Sequence, residues 1–211
     1  IKAHKEIVYA KEKGIDFIVC DHHLPSEILP EACAVLDPKR LDSTYPYKEL
    51  SGCGIGFKLI TALQIYRNLP FEPLLEYLDL VAISIAADVV PLMDENRVLA
   101  YYGLKKINRQ PRAGLEAILS YANVKHEERI SDKLYFNREL TLSDLVFLIG
   151  PRINAAGRME SGRLSVELLK AKKMADAVEV AAKIEEHNKD RKQKDKERTK
   201  QAFEQLKNDK R

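Results

Sequence analysis

The sequence has few cysteines and lacks any long apolar segment. Cys20, Cys33 and Cys53 are odd in number and widely spaced, without a Cys-x-x-Cys pair. This pattern is typical of reduced, mostly buried thiols in a cytosolic protein. No apolar run approaches the roughly 18 residues of a membrane span, and no signal-peptide pattern stands at the start. We therefore predict a cytoplasmic protein without a membrane segment.

The composition indicates a globular protein without a dominant charge. The chain has 211 residues, enough for one large domain or two small ones, with 45% apolar and 32% charged residues. Its net charge of +3 permits an anionic partner but does not require one, because nucleic-acid binding needs a local basic patch. Helical patterns run into both ends without a start or stop signal, so we expect a piece of a longer protein.

A short apolar run followed at once by three ionisable residues is the most informative stretch. Residues 17–20 predict a strand buried on both faces of a parallel sheet, and Asp21, His22 and His23 follow directly. A helix over residues 1–13 precedes this strand, and residues 32–36 predict a second one, as in a βαβ arrangement. The side chains that end such strands lie where α/β folds bind ligands. Imidazole binds metal ions, and an adjacent carboxylate can bind the ion or orient the ring. The alternative is a polar strand end with two solvated histidines.

A second apolar run extends the same argument. Residues 78–86 are rich in β-branched side chains and predict a central strand that ends close to Asp88. Neighbouring parallel strands would direct His22 and Asp88 into one crevice, which favours a metal site there. The fold class is therefore predicted as α/β, a partial doubly wound parallel sheet followed by a long connecting helix.

Glycines open the helix predicted between the two runs. Residues 51–56 read Ser-Gly-Cys-Gly-Ile-Gly, and the helix extends to about residue 67. Glycines at a helix start let the backbone approach a phosphate, which makes Gly52 and Gly54 candidates for phosphate binding. Close packing of the helix against the sheet is the interpretation we favour, because the spacing and the long preceding loop differ from a dinucleotide fingerprint.

The stretch from residue 150 to 159 combines two arginines and an amide with Gly, Pro and Ala. This composition predicts an irregular backbone, with little acid nearby for Arg152 and Arg158 to pair with. Guanidinium groups held on such a loop, with Asn154 between them, suit bidentate recognition of phosphate. The alternative is a loop that is merely fixed to the helix after it.

Helices are predicted for much of the remaining chain. Amphipathic patterns indicate helices over residues 96–108, 113–122 and 140–149, and the chain reads as helical from Leu164 to its end. Residues 183–200 carry eight basic and five acidic side chains. A helix that is polar all round connects domains or contacts nucleic acid, and alternating charge favours the connector. We predict a catalytic-domain portion over residues 1–168 and a connector helix over residues 169–211.

Four motifs together resemble a known family. In order they are Asp-His-His after a strand, Ser-Gly-Cys-Gly-Ile-Gly-Phe-Lys-Leu, Ala-Ile-Ser-Ile-Ala-Ala-Asp-Val-Val-Pro-Leu and Gly-Pro-Arg-Ile-Asn-Ala-Ala-Gly-Arg-Met. This order is similar to that of the RecJ family of single-strand-specific exonucleases, within the DHH phosphoesterase superfamily. The resemblance covers essentially all 211 residues. The last motif is the one most specific to RecJ.

The resemblance implies roles for individual residues. His22 and Asp88 would bind metal, and Asp21 would be a further ligand or would orient the histidines. His23 would lie beside the scissile phosphate. Substrate phosphate would also contact three residues of the last motif, Arg152, Asn154 and Arg158.

The resemblance also implies a reaction and its setting. Two Mn²⁺ or Mg²⁺ ions would support 5′-to-3′ hydrolysis of single-stranded DNA to 5′-mononucleotides, in recombination and repair. The protein would act as a monomer beside a single-strand-binding protein and a helicase.

One departure from the family pattern limits this prediction. An Asp-x-Asp type motif and a further Asp, which bind metal upstream of the triplet in the family, are absent here. Asp37 and Asp79 do not replace them, because the first faces a Pro-led turn and the second enters its predicted strand at the wrong end. The family's domain after the long helix is absent too. We therefore expect the 211 residues alone to be inactive.

Two other functions remain open from the sequence. Related DHH proteins cleave short oligonucleotides or cyclic dinucleotides, and they could share His22, His23 and Asp88. A catalytically inactive RecJ-like scaffold for replication or repair is the second alternative. The gathered ionisable groups argue against a scaffold, which has no need of them.

Overall fold

The computed structural model describes residues 3–127, 134–159 and 162–208, with side chains left undescribed at 156–159 and 208. The chain divides into two compact units, residues 1–106 and 107–211. Across the described ranges, no helix is both long enough and apolar enough to cross a membrane.

The first unit begins with a helix and two parallel strands. Helix α1 (His4–Glu12) ends before Gly14, whose φ of +68° is the left-handed conformation that glycine adopts without strain. Strands β1 (Ile18–Cys20) and β2 (Ala34–Leu36) pair in parallel, with Val19 opposite Val35. The fold class is confirmed as α/β, although the described sheet has only these two strands.

The prediction that β1 is buried on both faces is wrong for this chain. Ile18 is 52% exposed, and Phe17 just before it is 38% exposed. In the described structure β1 pairs with β2 alone, so its other edge and part of its surface remain open to solvent. The cysteines are likewise less buried than expected, because Cys33 is exposed and Cys20 and Cys53 are half-buried.

Helices complete the first unit. Helix α2 (Gly52–Tyr66) starts at a serine cap, a short 3₁₀ helix follows at Glu72–Tyr77, and it leads into α3 (Leu78–Asp88). Helix α4 (Asp94–Arg109) packs closely on α3, since a Cβ on Gly103 would clash with the carbonyl oxygen of Leu78. Only a residue without a side chain allows that approach.

The predicted central strand at residues 78–86 is wrong, because these residues form α3. Seven of its eleven residues are buried: Leu78, Asp79, Val81, Ala82, Ile83, Ile85 and Ala86. A helix covered on most sides has no polar face, so its sequence reads as one apolar run, and periodicity cannot separate it from a buried strand. The preceding 3₁₀ turn and the alanines favour the helix.

The second unit is helical. Its helices are α5 (Ala113–Ser120), α6 (Leu142–Asp144), α7 (Gly150–Met159), α8 (Arg163–Lys170) and α9 (Met174–Asn208). Thr141 and Asp144 form a capping box at the start of α6, and a π-helical turn at Leu145–Ile149 joins α6 to α7. The core includes Ile118, Leu140, Ile149, Leu168 and Ile184, each at most 1% exposed.

The irregular loop predicted at residues 150–159 is also wrong, since this stretch is α7. Pro151 is the second residue of α7 and follows the π-helical turn at Leu145–Ile149, where the regular i→i−4 bonding is already interrupted, so proline does not prevent this helix. The final helix starts at Met174, and residues 171–173 separate it from α8. Its polar half carries i,i+4 ion pairs such as Arg191–Asp195, in agreement with the alternating charge. The domain boundary predicted at residue 168 stays a prediction.

Candidate metal centre

The Asp-His-His triplet lies directly beyond the carboxyl end of β1, as predicted. The N–H of Asp21 donates to the carbonyl of Leu36 at 3.0 Å and so extends the pairing with β2. Oδ1 of Asp21 accepts the N–H of His22 at 2.7 Å and the N–H of His23 at 3.1 Å, and it lies 2.7 Å from Nδ1 of His23. A single carboxylate oxygen therefore fixes both the local backbone and one imidazole ring.

These hydrogen bonds determine the protonation of Asp21. Partial burial alone would raise the pKa of its carboxyl group. The hydrogen bonds from His23 and from the N–H of His22 outweigh burial and hold the pKa well below its usual range. Asp21 is therefore an anion near neutral pH. With Nδ1–H donated to this carboxylate, Nε2 is the ring nitrogen of His23 that remains available to a further partner, and the His23 side chain is 73% exposed.

Asp88 meets His22 even though it ends a helix instead of a strand. Its Oδ2 lies 3.7 Å from Nε2 of His22, and the two side chains are 35% and 15% exposed. Asp88 is the last residue of α3, and Val89 follows in the left-handed conformation with φ +52° and ψ 39°. The left-handed residue ends the helix at this point, so the carboxylate stands at its tip.

The first turn of α2 packs against the same pair. Oγ of Ser51 caps the helix by accepting the N–H of Gly54 at 3.2 Å. A Cβ on Gly52 would lie 3.5 Å from Cδ2 of His22, so this turn touches the imidazole. The N–H of Cys53 donates to Oγ of Ser84 at 3.3 Å. A Cβ would fit at Gly52 and at Gly56, so close packing does not require glycine at either position, and phosphate binding by Gly52 or Gly54 stays a prediction.

His22 and Asp88 are suitable ligands for one divalent ion but do not complete its shell. Imidazole nitrogen and carboxylate oxygen are common metal ligands. Two ligand atoms at right angles and about 2.1 Å from one ion lie about 3.0 Å apart, so the pair needs a shift of under about 1 Å. Within the described residues, no group of three or more His, Cys, Asp or Glu side chains could hold a metal ion.

The other two acids considered from the sequence have structural roles. Asp37 is 4% exposed and its Oδ1 accepts the N–H of Lys39. Asp79 is fully buried near the start of α3, and its Oδ1 accepts the N–H of Leu80. Asp79 therefore lies at the opposite end of α3 from Asp88. This separation was expected from the sequence, but along a strand instead of a helix.

A cavity of about 660 Å³ lies away from the two candidate ligands. It is lined by β2, residues 37–46 and α2, and neither His22 nor Asp88 borders it. Two cations at its wall are already paired, Arg40 with Asp42 at 2.6 Å and Lys58 with Glu95. The cavity therefore does not bear on the His22–Asp88 pair, which stays the predicted metal site.

The predicted phosphate-contact residues lie in α7 of the second unit. Nε of Arg152 donates to Oε2 of Glu185 at 2.6 Å, and these side chains are only 7% and 8% exposed. Nη1 of Arg152 also donates to the carbonyl of Leu148. The expectation of little acid near Arg152 is therefore wrong, because its partner is 33 residues further along the chain. Asn154 is exposed, and the side chain of Arg158 lies outside the described residues.

Sequence reasoning missed two residues. Ser84 lies between the N-terminus of α2 and Asp88. A helix over residues 78–88 would indicate it, since residues four apart lie on the same face of a helix. Glu185 pairs with Arg152, and no local pattern in the sequence indicates that contact.

Comparison with known proteins adds to this geometry. Residues 1–85 match the DHH family, N-terminal domain. The single-stranded-DNA-specific exonuclease RecJ of Haemophilus influenzae is 41% identical over 195 residues, which covers 89% of this chain. The enzyme of the same name from Bacillus subtilis is 38% identical over 204 residues, 97% of this chain. The chain is homologous to RecJ. It spans 32% of the Haemophilus RecJ and 24% of the Bacillus RecJ.

Solved RecJ structures agree with the fold. The chain is similar to an exonuclease RecJ bound to manganese, with a TM-score of 0.76 and 28% identity over 97% of this chain and 48% of the other. It is also similar to RecJ of Thermus thermophilus in complex with Mn²⁺, with a TM-score of 0.71 and 29% identity. That match covers 92% of this chain and 27% of the Thermus RecJ.

Proposed function

We propose that the full-length protein containing this chain is a single-stranded-DNA-specific exonuclease that requires Mn²⁺ or Mg²⁺. The observation that carries the proposal is the 3.7 Å approach of His22 Nε2 to Asp88 Oδ2, in a chain homologous to RecJ. These atoms come from the end of β1 and the end of α3, which are far apart in the chain. The tertiary fold therefore brings them together. The metal-bound RecJ structures support the choice of ions.

The proposal extends to the course of the reaction. We infer 5′-to-3′ digestion with release of 5′-mononucleotides, supported by two metal ions, in DNA recombination and repair. Residues 1–168 would belong to the catalytic domain, and α9 would lie in the connector to a further domain. The protein would be a cytoplasmic monomer that works beside a single-strand-binding protein and a helicase.

Each of the four candidate residues in the first unit has a role in this proposal. His22 and Asp88 would hold one ion, which would lower the pKa of bound water and offset charge on the phosphate. Asp21 would orient His23 and the turn that carries His22, through the three contacts of its Oδ1. His23 would present Nε2 to the scissile phosphate, because Nδ1 is held by Asp21.

The metal site needs further ligands from outside these residues. His22 and Asp88 supply two donor atoms, whereas Mg²⁺ takes six, several of them from water. The upstream aspartates that the RecJ resemblance implies would supply the others. We therefore propose that the 211-residue chain alone is inactive, and strong Mn²⁺-dependent digestion by this chain would contradict the proposal.

Residues of α7 would contact substrate phosphate. Asn154 is exposed and free to reach a ligand, and Arg158 lies one turn further along the helix. Arg152 is also included in the proposal, but its buried pairing with Glu185 gives it a competing role in fixing α7 to α9. Variants that remove one or both charges of this pair distinguish the two roles.

The test uses the full-length protein with Mn²⁺. Release of mononucleotides from 5′-phosphorylated single-stranded DNA is measured beside cleavage of a dinucleotide, for the wild type and for Asp88→Ala. The control is Asp16→Ala, which removes an exposed carboxylate before β1. We expect digestion of the long strand to be lost in Asp88→Ala and kept in Asp16→Ala. A substrate labelled at the 3′ end reports the direction of digestion.

Two results would point to the alternatives. Cleavage of the dinucleotide alone would move the protein to the DHH enzymes of short oligonucleotides. Failure to cleave either substrate would favour an inactive scaffold.

A further inference from the structure

We propose that Ser84 is a positioning residue for the metal ligand Asp88. Its Oγ donates to Oδ2 of Asp88 at 3.2 Å and accepts the N–H of Cys53 at 3.3 Å. Oδ2 is also the oxygen that faces Nε2 of His22. The hydroxyl group therefore joins the first turn of α2 to the carboxylate oxygen that would bind metal.

The direction of these hydrogen bonds follows from the chemistry of a hydroxyl group. A serine hydroxyl has one proton to donate and lone pairs with which to accept. The N–H of Cys53 can only donate, so it occupies a lone pair of Ser84 Oγ. The proton of Ser84 is then left for the Asp88 carboxylate, and a hydrogen bond to a charged acceptor is the stronger kind. The carboxylate keeps further lone pairs on Oδ2 for an ion.

Helix geometry places Ser84 for this role. Residues 84 and 88 lie four apart on α3 and therefore on the same face. A serine inside a helix often donates back to the carbonyl four residues earlier, whereas Ser84 donates forward to a side chain.

The position of Asp88 makes a donor valuable. Asp88 is the last residue of α3, where the partial negative charge of the helix end disfavours a carboxylate. The Ser84 hydroxyl supplies a compensating positive dipole next to Oδ2. The hydroxyl group is oriented by the N–H of Cys53, which lies in the first turn of α2. The position of α2 is therefore coupled to the orientation of Asp88.

The test measures metal binding and not only activity. Mn²⁺ binding to the full-length protein is titrated by electron paramagnetic resonance of the free ion, for the wild type, Ser84→Ala and Ser84→Thr. Asp88→Ala identifies the site concerned. The matched control is Ser120→Ala, which removes a helix hydroxyl that donates to the carbonyl of Ala117 in the other unit.

We expect Ser84→Ala to raise the Mn²⁺ Kd of the site that Asp88→Ala weakens, by roughly tenfold to a hundredfold, as for other partners of metal ligands. Ser84→Thr keeps a hydroxyl and should bind Mn²⁺ nearly as tightly as the wild type, and Ser120→Ala should not change the Kd. An unchanged Kd in Ser84→Ala would overturn the inference. So would equal weakening in Ser84→Thr or in Ser120→Ala.

This inference rests on the proposed function, since it assumes that metal binds at Asp88, but the two can fail separately. If Asp88→Ala binds Mn²⁺ as tightly as the wild type, the proposed metal site is wrong. If Asp88→Ala weakens binding and Ser84→Ala does not, only the role of Ser84 is wrong.

Discussion

The buried pair of Arg152 and Glu185 gives a prediction whose size follows from the structure. Both side chains are more than nine-tenths buried, their bond is 2.6 Å long, and Nδ2 of Asn188 lies 3.4 Å from the same Glu185 oxygen. Arg152→Met leaves a buried carboxylate without its cation, and Glu185→Leu leaves a buried guanidinium. We expect each single variant to lower the free energy of unfolding by about 3–5 kcal/mol.

The double variant should be much more stable than the sum of the single changes predicts. Arg152→Met/Glu185→Leu removes both charges and fills similar volume, a change that is often neutral. We expect a loss of about 0–2 kcal/mol, against about 6–10 kcal/mol for additive effects. Urea unfolding of the chain, followed by circular dichroism, measures all four free energies.

An exposed pair provides the control. Arg163 and Glu167 are bonded at 2.8 Å, but their side chains are 82% and 44% exposed. The same substitutions there should cost under about 1 kcal/mol each and should be additive. If the effects at Arg152 and Glu185 also add to within about 0.5 kcal/mol, the pair is not a coupled unit and the reasoning fails.

The same variants separate the two roles of Arg152. If Arg152 only fixes α7, binding of single-stranded DNA by the full-length protein should be weakened in Arg152→Met and restored in the double variant. If Arg152 contacts phosphate, binding should stay weak in both, and the dependence of binding on salt should decrease by about one unit of slope.

Three further predictions follow from individual contacts. Asp21→Asn should shift neutral His23 from the Nδ1–H to the common Nε2–H tautomer, which ¹⁵N chemical shifts of the ring would detect; an unchanged tautomer would contradict the assigned bond. Burial, together with a hydrogen bond to a carboxylate, raises the pKa of Tyr135 to about 12. The contribution of Tyr135 to stability should therefore be constant below about pH 10 and fall between about pH 10 and 12, where only the unfolded chain ionises this group, and Tyr135→Phe should reduce that slope. Gly103→Ala should lower the free energy of unfolding by about 1–3 kcal/mol, because the added Cβ has no room. Gly56→Ala in α2 has open space around the added Cβ and should raise the free energy of unfolding by up to about 1 kcal/mol. A Gly103→Ala variant as stable as the wild type would refute the close α3–α4 approach.

The elements that the sequence predicts well have local signals. Gly14 marks the end of α1, Ser51 caps α2, and the parallel pairing of β1 with β2 agrees with two short apolar runs joined by a loop. The meeting of His22 with Asp88 was also expected, but for the wrong reason. Two strand ends were predicted to meet, and the structure instead brings a strand end to a helix end.

The errors have a common physical origin. Residues 78–88 are covered by neighbours on most sides, and residues 150–159 contain Gly and Pro that the structure accommodates in α7, directly after a π-helical turn. In both cases tertiary packing decides the backbone, and a local pattern does not contain that information. The partner of Arg152 is invisible for the same reason, since Glu185 lies in another helix.

The left-handed residue after Asp88 places local strain beside the proposed metal ligand. Val89 holds a φ of +52° although its β-branched side chain disfavours this conformation and is 74% exposed, so no packing of that side chain explains the choice of valine. Glycine would adopt the same angles without strain, but it would also allow many others. Valine is less stable at these angles than in the extended region, so Val89 carries local strain of about 1–3 kcal/mol. The rest of the fold has to hold this turn in place, and the proposed ligand Asp88 with it.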